Sequence, residues 1–443
     1  MSLIHGNRTS IRRVLRMGMP SSMRLRRVGF VLAVAGVLAG SLRVAATTAG
    51  ERWVGTWAAA PQSFMPGSLE TFDNQTVRLV VHTSIGGSKI RIRFSNIYGS
   101  KALTLGAVHV AHAGNGVAIV PGTDRAVTFE GKATVTIGAQ LEATSDPVNL
   151  EIPASSALAI TMFFLRQSEA TTSHFLALQT GYVSPRLGNV TGAERFRIER
   201  TLNSWPFVTA VEVQARSDAA AVVVFGDSIV DGDGSTPNSN RRWPDLLWKR
   251  LLVERAAGSY LGVLNEGLIG NRLLVDSPHD SEFGDVFGEA GLARFTRDVL
   301  DQPGVTTTIV RIGGNDIGLP GALVKDAKPV SAESLIEGYR KLVSLAHARG
   351  VRVIGTTISP SEGATLASNF YTPDKDAVRQ KVNAWLREQR EFDGIVDLDR
   401  VLRDPAHPSR LLPVYDSGDH VHPNDAGYAA SADALDLSLL RAK

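Results

Sequence analysis

Polar and apolar residues alternate singly through the first half of the chain. In KIRIRFS, Ile90, Ile92 and Phe94 fall on one side and Lys89, Arg91, Arg93 and Ser95 on the other. That is the period of a half-buried strand, not of a helix. Further short segments of this kind stand at TVRLVVHTSI, LTLGAVHVAHA, RAVTFEG, ATVTIGAQ and ALAITMFFL, spaced by turn residues, with no long helical periodicity between them. Gly86 and Gly87 separate TVRLVVHTSI from KIRIRFS, which predicts a hairpin at that point. Residues 50–216 thus read as an antiparallel β-sandwich or jelly-roll-like domain.

After Arg216 the pattern changes to uniform apolar runs separated by amphipathic stretches. The runs are AAVVVFG (220–226), YLGVLNEG (260–267), TTTIVRIGG (306–314), VRVIGTTIS (351–359) and GIVDLD (394–399). Strands covered on both faces have this character. Between the runs, Trp243, Leu247 and Leu251 recur at helical spacing, and further helices are predicted over 332–349, 374–391 and 424–440. Strand and helix in alternation predict, over 217–443, a parallel sheet with helices on both faces. Ligands of such sheets bind beyond the carboxyl ends of the strands.

Composition narrows the chemistry. Cysteine is absent from the 443 residues, which removes thiolate nucleophiles, thiolate metal sites and disulfides. Residues 1–49 hold eight arginines and no acid. Their basic stretch Arg24–Arg27, the apolar FVLAVAGVLAG and the small-residue RVAATTAG are the three parts of a signal peptide. The apolar run ends at Arg43, well short of the ~20 residues that span a bilayer. The expectation is therefore export to the periplasm or the exterior, without a stable membrane span. The remaining chain carries 39 Lys and Arg against 44 Asp and Glu, so the formal net charge of +3 belongs to the leader. No basic surface with interleaved aromatics points to nucleic acid.

Chemistry-bearing residues cluster where the runs end. Ser228, in VVVFGDSIVDGDG, directly follows a buried strand. The nucleophile elbow G-x-S-x-G of the α/β-hydrolases is not present, because position 230 is Val. A serine hydroxyl needs an imidazole to accept its proton and a carboxylate to orient that imidazole. Asp419 and His422, in YDSGDHVHPNDAGY, can supply both. Gly270 in NEGLIGNRLL and Asn315 in RIGGNDIG can offer a backbone N–H and an amide N–H₂. With the Ser228 N–H these make three donors for one oxyanion, each typically accounting for ~10²–10³ in rate. Taken singly, each motif also has a bland reading as a turn or a surface pair.

The ordered series GDSI, G-N, GGND and D-H-V-H-P resembles the SGNH hydrolase superfamily, also called GDSL lipases or esterases, over roughly residues 219–443. The resemblance implies a flavodoxin-like α/β/α sandwich. It implies Ser228 as nucleophile, His422 as general base, Asp419 as its orienting residue, and Gly270 and Asn315 as oxyanion-hole donors. No metal or organic cofactor is implied. Ile229 stands where the family commonly has Leu, and 276–289 looks inserted. The first half, opening on WVGTWAAAP, is similar to a β-rich domain found in some exported members. The activity expected is hydrolysis of a carboxylic ester with a short acyl chain, the alcohol being a small molecule or a carbohydrate.

Three alternatives carry over to the structure. The same site could pass the acyl group to a sugar hydroxyl, or the β-rich half could bind carbohydrate with the second half as scaffold. His420 and His422 with Asp419 could instead form an H-x-H metal site, for which Asp425 and His407 are the nearest candidates for a third ligand. Finally, the acidic segment 276–289 is expected to border the mouth of the site.

Overall fold

KIRIRFS folds as the strand Ile90–Ser95 in a computed structural model that describes residues 51–254, 260–325 and 327–440. The leader expected at 1–49 lies outside the described residues. Ile90, Ile92 and Phe94 are fully buried, and on the other face Arg91 and Arg93 share the carboxylate of Glu212. The strand belongs to a four-stranded antiparallel sheet ordered Glu51–Ala58, Val208–Arg216, Ile90–Ser95, Glu142–Thr144. A six-stranded antiparallel sheet runs Arg200–Leu202, Gly181–Val183, Gln75–His82, Ala157–Phe164, Ala107–His112, Arg125–Val127. Buried residues of both sheets, among them Ile92, Phe94, Leu79 and Ile160, join one apolar core.

The hairpin expected at Gly86 and Gly87 does not form. Gln75–His82 lies in the six-stranded sheet and Ile90–Ser95 in the four-stranded one. The glycines instead let the chain cross between sheets hard against other backbone. A Cβ on Gly86 would sit 2.2 Å from the Ile152 carbonyl oxygen, and one on Gly87 2.5 Å from that of Gln214. LTLGAVHVAHA likewise breaks at Gly106 into Leu103–Leu105 and Ala107–His112, which belong to different sheets.

The second half is the expected α/β layer. Its strands are β1 (Ala220–Gly226), β2 (Leu261–Gly267), β3 (Val305–Arg311), β4 (Arg352–Thr356) and β5 (Gly394–Val396). All pair in parallel in the order β2-β1-β3-β4-β5, which is the flavodoxin-like order. Its helices are α1 (Ser228–Asp231), α2 (Trp243–Val253), α3 (Gly291–Phe295), α4 (Gly314–Gly318), α5 (Ala332–Ala348), α6 (Pro373–Glu388), α7 (Leu398–Leu402) and α8 (Asp425–Asp433). Trp243, Leu247 and Leu251 form the buried stripe of α2, and each such side chain removed from water contributes about 1.5–3 kcal/mol. The helix predicted over 424–440 is shorter than expected. Asp436 accepts from the Ser438 N–H at 2.9 Å and opens a separate turn, Leu437–Leu440.

The described residues of both halves belong to one compact unit. At their junction two glycines meet. A Cβ on Gly262 of β2 would lie 2.3 Å from the Gly55 carbonyl oxygen, and one on Gly55 2.7 Å from Leu264. The edge of the parallel sheet is thereby covered by the first strand of the β-rich half, which keeps it from pairing elsewhere. The apolar core is continuous across this contact, from Val54 to Leu264, Val223 and Phe225.

Candidate active site

β1 delivers Ser228 to the carboxyl edge of the sheet. Gly226 ends the strand where a Cβ would lie 1.9 Å from the Arg311 carbonyl oxygen, so β1 and β3 close tightly there. Asp227 then caps α1, its Oδ1 accepting from the Ile229 N–H at 3.1 Å. Its Oδ2 accepts from the buried Arg311 guanidinium at 2.5 Å, and Arg311 also donates to Ser359 Oγ at 2.8 Å. Ser228, the first residue of α1, is fixed from both sides.

The loop 416–423 brings the histidine. Asn424 caps α8 by accepting from the Ala426 and Gly427 N–H groups, and its amide holds the Val414 and Asp416 carbonyls. Asp419 Oδ1 accepts from the backbone N–H groups of Val421 and His422 at 2.9 and 2.8 Å. Its Oδ2 accepts from His422 Nδ1–H at 2.5 Å. The other ring nitrogen, Nε2, accepts from Ser228 Oγ–H at 2.8 Å. The structure thus joins Ser228, His422 and Asp419 into one hydrogen-bonded series across 194 residues of sequence.

Charge follows the geometry. Burial opposes ionisation of Asp419, but the bond and charge of His422 and two backbone donors outweigh it and hold its carboxyl far below the usual range. Burial likewise opposes a cationic His422, yet the Asp419 bond and the charges of Asp233, Asp419 and Asp227 raise its pKa above the ordinary value. Asp233, whose Oδ2 stands 3.8 Å from His422 Nε2, is itself raised, by burial first and by the nearby carboxylates Asp231 and Asp419.

Ser228 and Asn315 open on the same cleft, walled by Ile229, Ile317, Ile358, Phe370, Tyr371 and Val421. Asn315 stands on α4, entered through Gly313 at φ 107°, where a Cβ would meet the Tyr339 hydroxyl at 2.6 Å. One amide hydrogen of Asn315 goes to the Asn271 carbonyl at 3.1 Å. Gly270, at φ +70° with Phe287 occupying the place of a Cβ, is not among the walls of this cleft. It is linked to the site through its neighbours, Asn271 on Asn315 and Ile269 on Asp231. The backbone N–H groups of Ser228 and Gly270 donate to no acceptor among the described residues. The buried Asp316 carboxylate accepts from the Leu273 and Leu274 N–H groups at 2.7 and 3.0 Å, so α4 also holds the chain beyond Gly270. Burial pushes that carboxyl up to about 6 in spite of those bonds.

His420 does not join His422. Its Nδ1 pairs with Asp416 Oδ2 at 2.5 Å and its side chain is half exposed. Asp425 is engaged by the Thr236 N–H and hydroxyl, both at 2.8 Å. Among the described residues no group of three or more His, Asp or Glu side chains could hold a metal ion. Pro278, His279, Asp280, Ser281 and Glu282 of the acidic segment line a separate depression with Lys325 and Lys328. The segment meets the Ser228 cleft through apolar side chains, as Val286 and Phe287 pack with Phe370 and Val421.

A flavodoxin-like sheet carrying a serine, histidine and aspartate in hydrogen-bonded series at its carboxyl edge defines the second half as a hydrolase domain. Residues 224–430 match the GDSL-like Lipase/Acylhydrolase family, and this part of the chain is a domain of that family. Solved structures similar to it include an alpha/beta hydrolase enzyme from the metagenome of Lake Arreo, Spain, at 23% identity over 50% of this chain and 95% of that one, with a TM-score of 0.34. A GDSL-like lipase from Bacteroides thetaiotaomicron is similar at 15% identity over 50% and 87%, with a TM-score of 0.34. An acetyl xylan esterase is similar at 17% identity over 48% and 96%, also with a TM-score of 0.34. No curated protein matches the chain.

Asp227 with Arg311, Asp233 and Asp316 are parts of the site neighbourhood that motif reading passed over. The signal for Arg311 was present, as a lone cation closing the apolar run TTTIV. Its partner lies 84 residues away, and nothing local names it.

Proposed function

We propose that the protein hydrolyses carboxylic esters by two-step acyl transfer through Ser228. The observation that carries this reading is the series Ser228 Oγ, His422 Nε2, His422 Nδ1, Asp419 Oδ2, with links of 2.8 and 2.5 Å, at the edge of a cleft shared with Asn315. His422 takes the hydroxyl proton as Ser228 attacks the carbonyl carbon, and Asp419 stays ionised and keeps the Nδ1 proton in place. Asn315 and the unengaged Ser228 and Gly270 N–H groups are the donors offered to the oxyanion. His422 then returns the proton to the leaving alcohol. Water repeats the attack on the acyl-enzyme and releases the acid.

A short acyl chain is the one we infer, with Phe370, packed against Gly318 of α4, and Ile317 and Ile358 among the walls that would receive it. The leader composition supports export. The first test is hydrolysis of p-nitrophenyl acetate by the wild-type chain and by Ser228→Ala. The variant should lose essentially all turnover with its melting temperature nearly unchanged, and a serine-directed phosphonate should label Ser228. Equal turnover by Ser228→Ala, or labelling elsewhere, would refute the reading.

A further inference from the structure

A hydrogen-bonded strut reaches from the β-rich half to the turn that carries Gly270. His174 lies on the two-residue strand Ser173–His174, paired with Trp205–Pro206. It is almost fully buried, and its ring is stacked on Trp205 with centroids 5.6 Å apart. Nδ1 donates to the Ala60 carbonyl at 2.9 Å, and Nε2 faces Asp231 Oδ1 at 3.0 Å. Asp231 is the last residue of the helix that Ser228 begins, and it is fully buried. Its second oxygen accepts from the Ile269 N–H at 3.1 Å, one residue before Gly270.

The chemistry of this strut is constrained on every side. Both ring nitrogens of His174 face oxygen atoms, which fixes the plane of the ring and the nitrogen it turns to Asp231. His174 is the side chain that faces this buried carboxylate, and a buried carboxylate without a partner is costly. There is also no slack in the backbone, because a Cβ on Gly267 would lie 2.1 Å from the Asp231 nitrogen. Rotation of Asp231 would release the side-chain bond that holds the Ile269 N–H.

We propose that His174 is a positioning residue for ester hydrolysis, acting through Asp231 to hold the Ile269–Gly270 turn in place for the oxyanion. The β-rich half is then a working part of the site and not an appended module. The inference rests on the esterase reading above, so its test includes a readout that does not need turnover. Full-length His174→Phe and His174→Gln are compared with the wild type for p-nitrophenyl acetate kinetics and for hydrogen exchange at the Ile269 amide.

His174→Phe should lower kcat about 10–100-fold, the scale of a misplaced oxyanion donor. KM and the pH inflection of His422 should stay near wild type, and Ile269 should exchange faster. His174→Gln keeps a donor toward Asp231 and should recover most of the lost kcat and protection. Wild-type kcat together with wild-type Ile269 exchange in His174→Phe overturns the proposal. If His174→Phe does not fold, the shorter polar His174→Asn, which cannot span to Asp231, takes its place, and wild-type kcat with wild-type Ile269 exchange in that variant overturns the proposal as well. Absence of ester turnover in the wild type would sink the esterase reading and leave the exchange result to judge the strut.

Discussion

Two histidines separated by one residue have opposite fates, and the difference lies in which carboxylate each one finds. His420, at φ 64°, turns its ring to Asp416 near the surface, while His422 is drawn inward between Asp419 and Ser228. His422→Ala should therefore cost about 10⁴-fold or more in kcat, and His420→Ala should leave ester turnover close to wild type. Dialysis against EDTA should spare both the wild type and His420→Ala. A base must be neutral to accept a proton, so activity should rise with pH through the His422 ionisation, above the ordinary histidine value. Asp233 helps to hold that ionisation up, and removing its charge acts in the opposite direction. Asp233→Asn should move the inflection toward lower pH, read from the pH dependence of kcat/KM. An unmoved inflection would mean that Asp233 does not act on the imidazole. Ser228 was legible because it directly follows an apolar run, and Asp419 and His422 because they stand three residues apart just before the last helix. Asp233 was not, because its closeness to His422 arises only when β1 and the last loop meet across the sheet.

At the level of elements, the parallel strands and long helices were readable because burial on two faces, or on one stripe, imposes a period on the sequence. Glycines were harder to read. Gly86 and Gly87 permit a crossing between sheets and Gly270 a left-handed turn against Phe287, yet all three look alike in a sequence. Gly270→Ala places a side chain at positive φ and against the Phe287 ring. It should lower the melting temperature and kcat together, whereas Phe287→Ala alone leaves the turn unstrained. The acidic segment shows how proximity in a chain misleads. Asp280 and Glu282 line a depression of their own with Lys325 and Lys328, and none of the four lines the Ser228 cleft. The double change Asp280→Asn, Glu282→Gln should alter kcat/KM for neutral and anionic esters by less than about twofold, with the same salt dependence as the wild type. A selective gain for anionic esters would place the charge of these two residues, and not only the apolar side chains of the segment, at the mouth of the site.

For the whole molecule, the change of pattern at Arg216 marks a change of architecture more than a mechanical boundary. The strand Val208–Arg216 leads into β1 after three residues, and the apolar core passes from one half to the other without a break. Polar links run the same way: Trp248 donates to the Ser84 carbonyl at 2.6 Å, Gln62 to that of Val286 at 2.6 Å, and Gly55 to that of Pro303 at 2.9 Å. Exposing such a core by unfolding one half would cost hydrophobic free energy in the other, so the two should unfold together. Gly262→Val tests this at the point of closest approach. Its new side chain meets the Gly55 backbone, which cannot swing aside as a flexible side chain could, and overpacking of this kind costs about 1–3 kcal/mol. In a background with Trp243, Trp248 and Trp385 changed to Phe, fluorescence from Trp53, Trp57 and Trp205 follows the β-rich half, and helical dichroism follows the α/β half. That background should give one denaturant transition seen equally by both probes, and Gly262→Val within it should shift both midpoints downward by the same amount. A variant in which only one probe shifts would show that the halves are separately stable, and the strut from His174 would then have to act across a hinge.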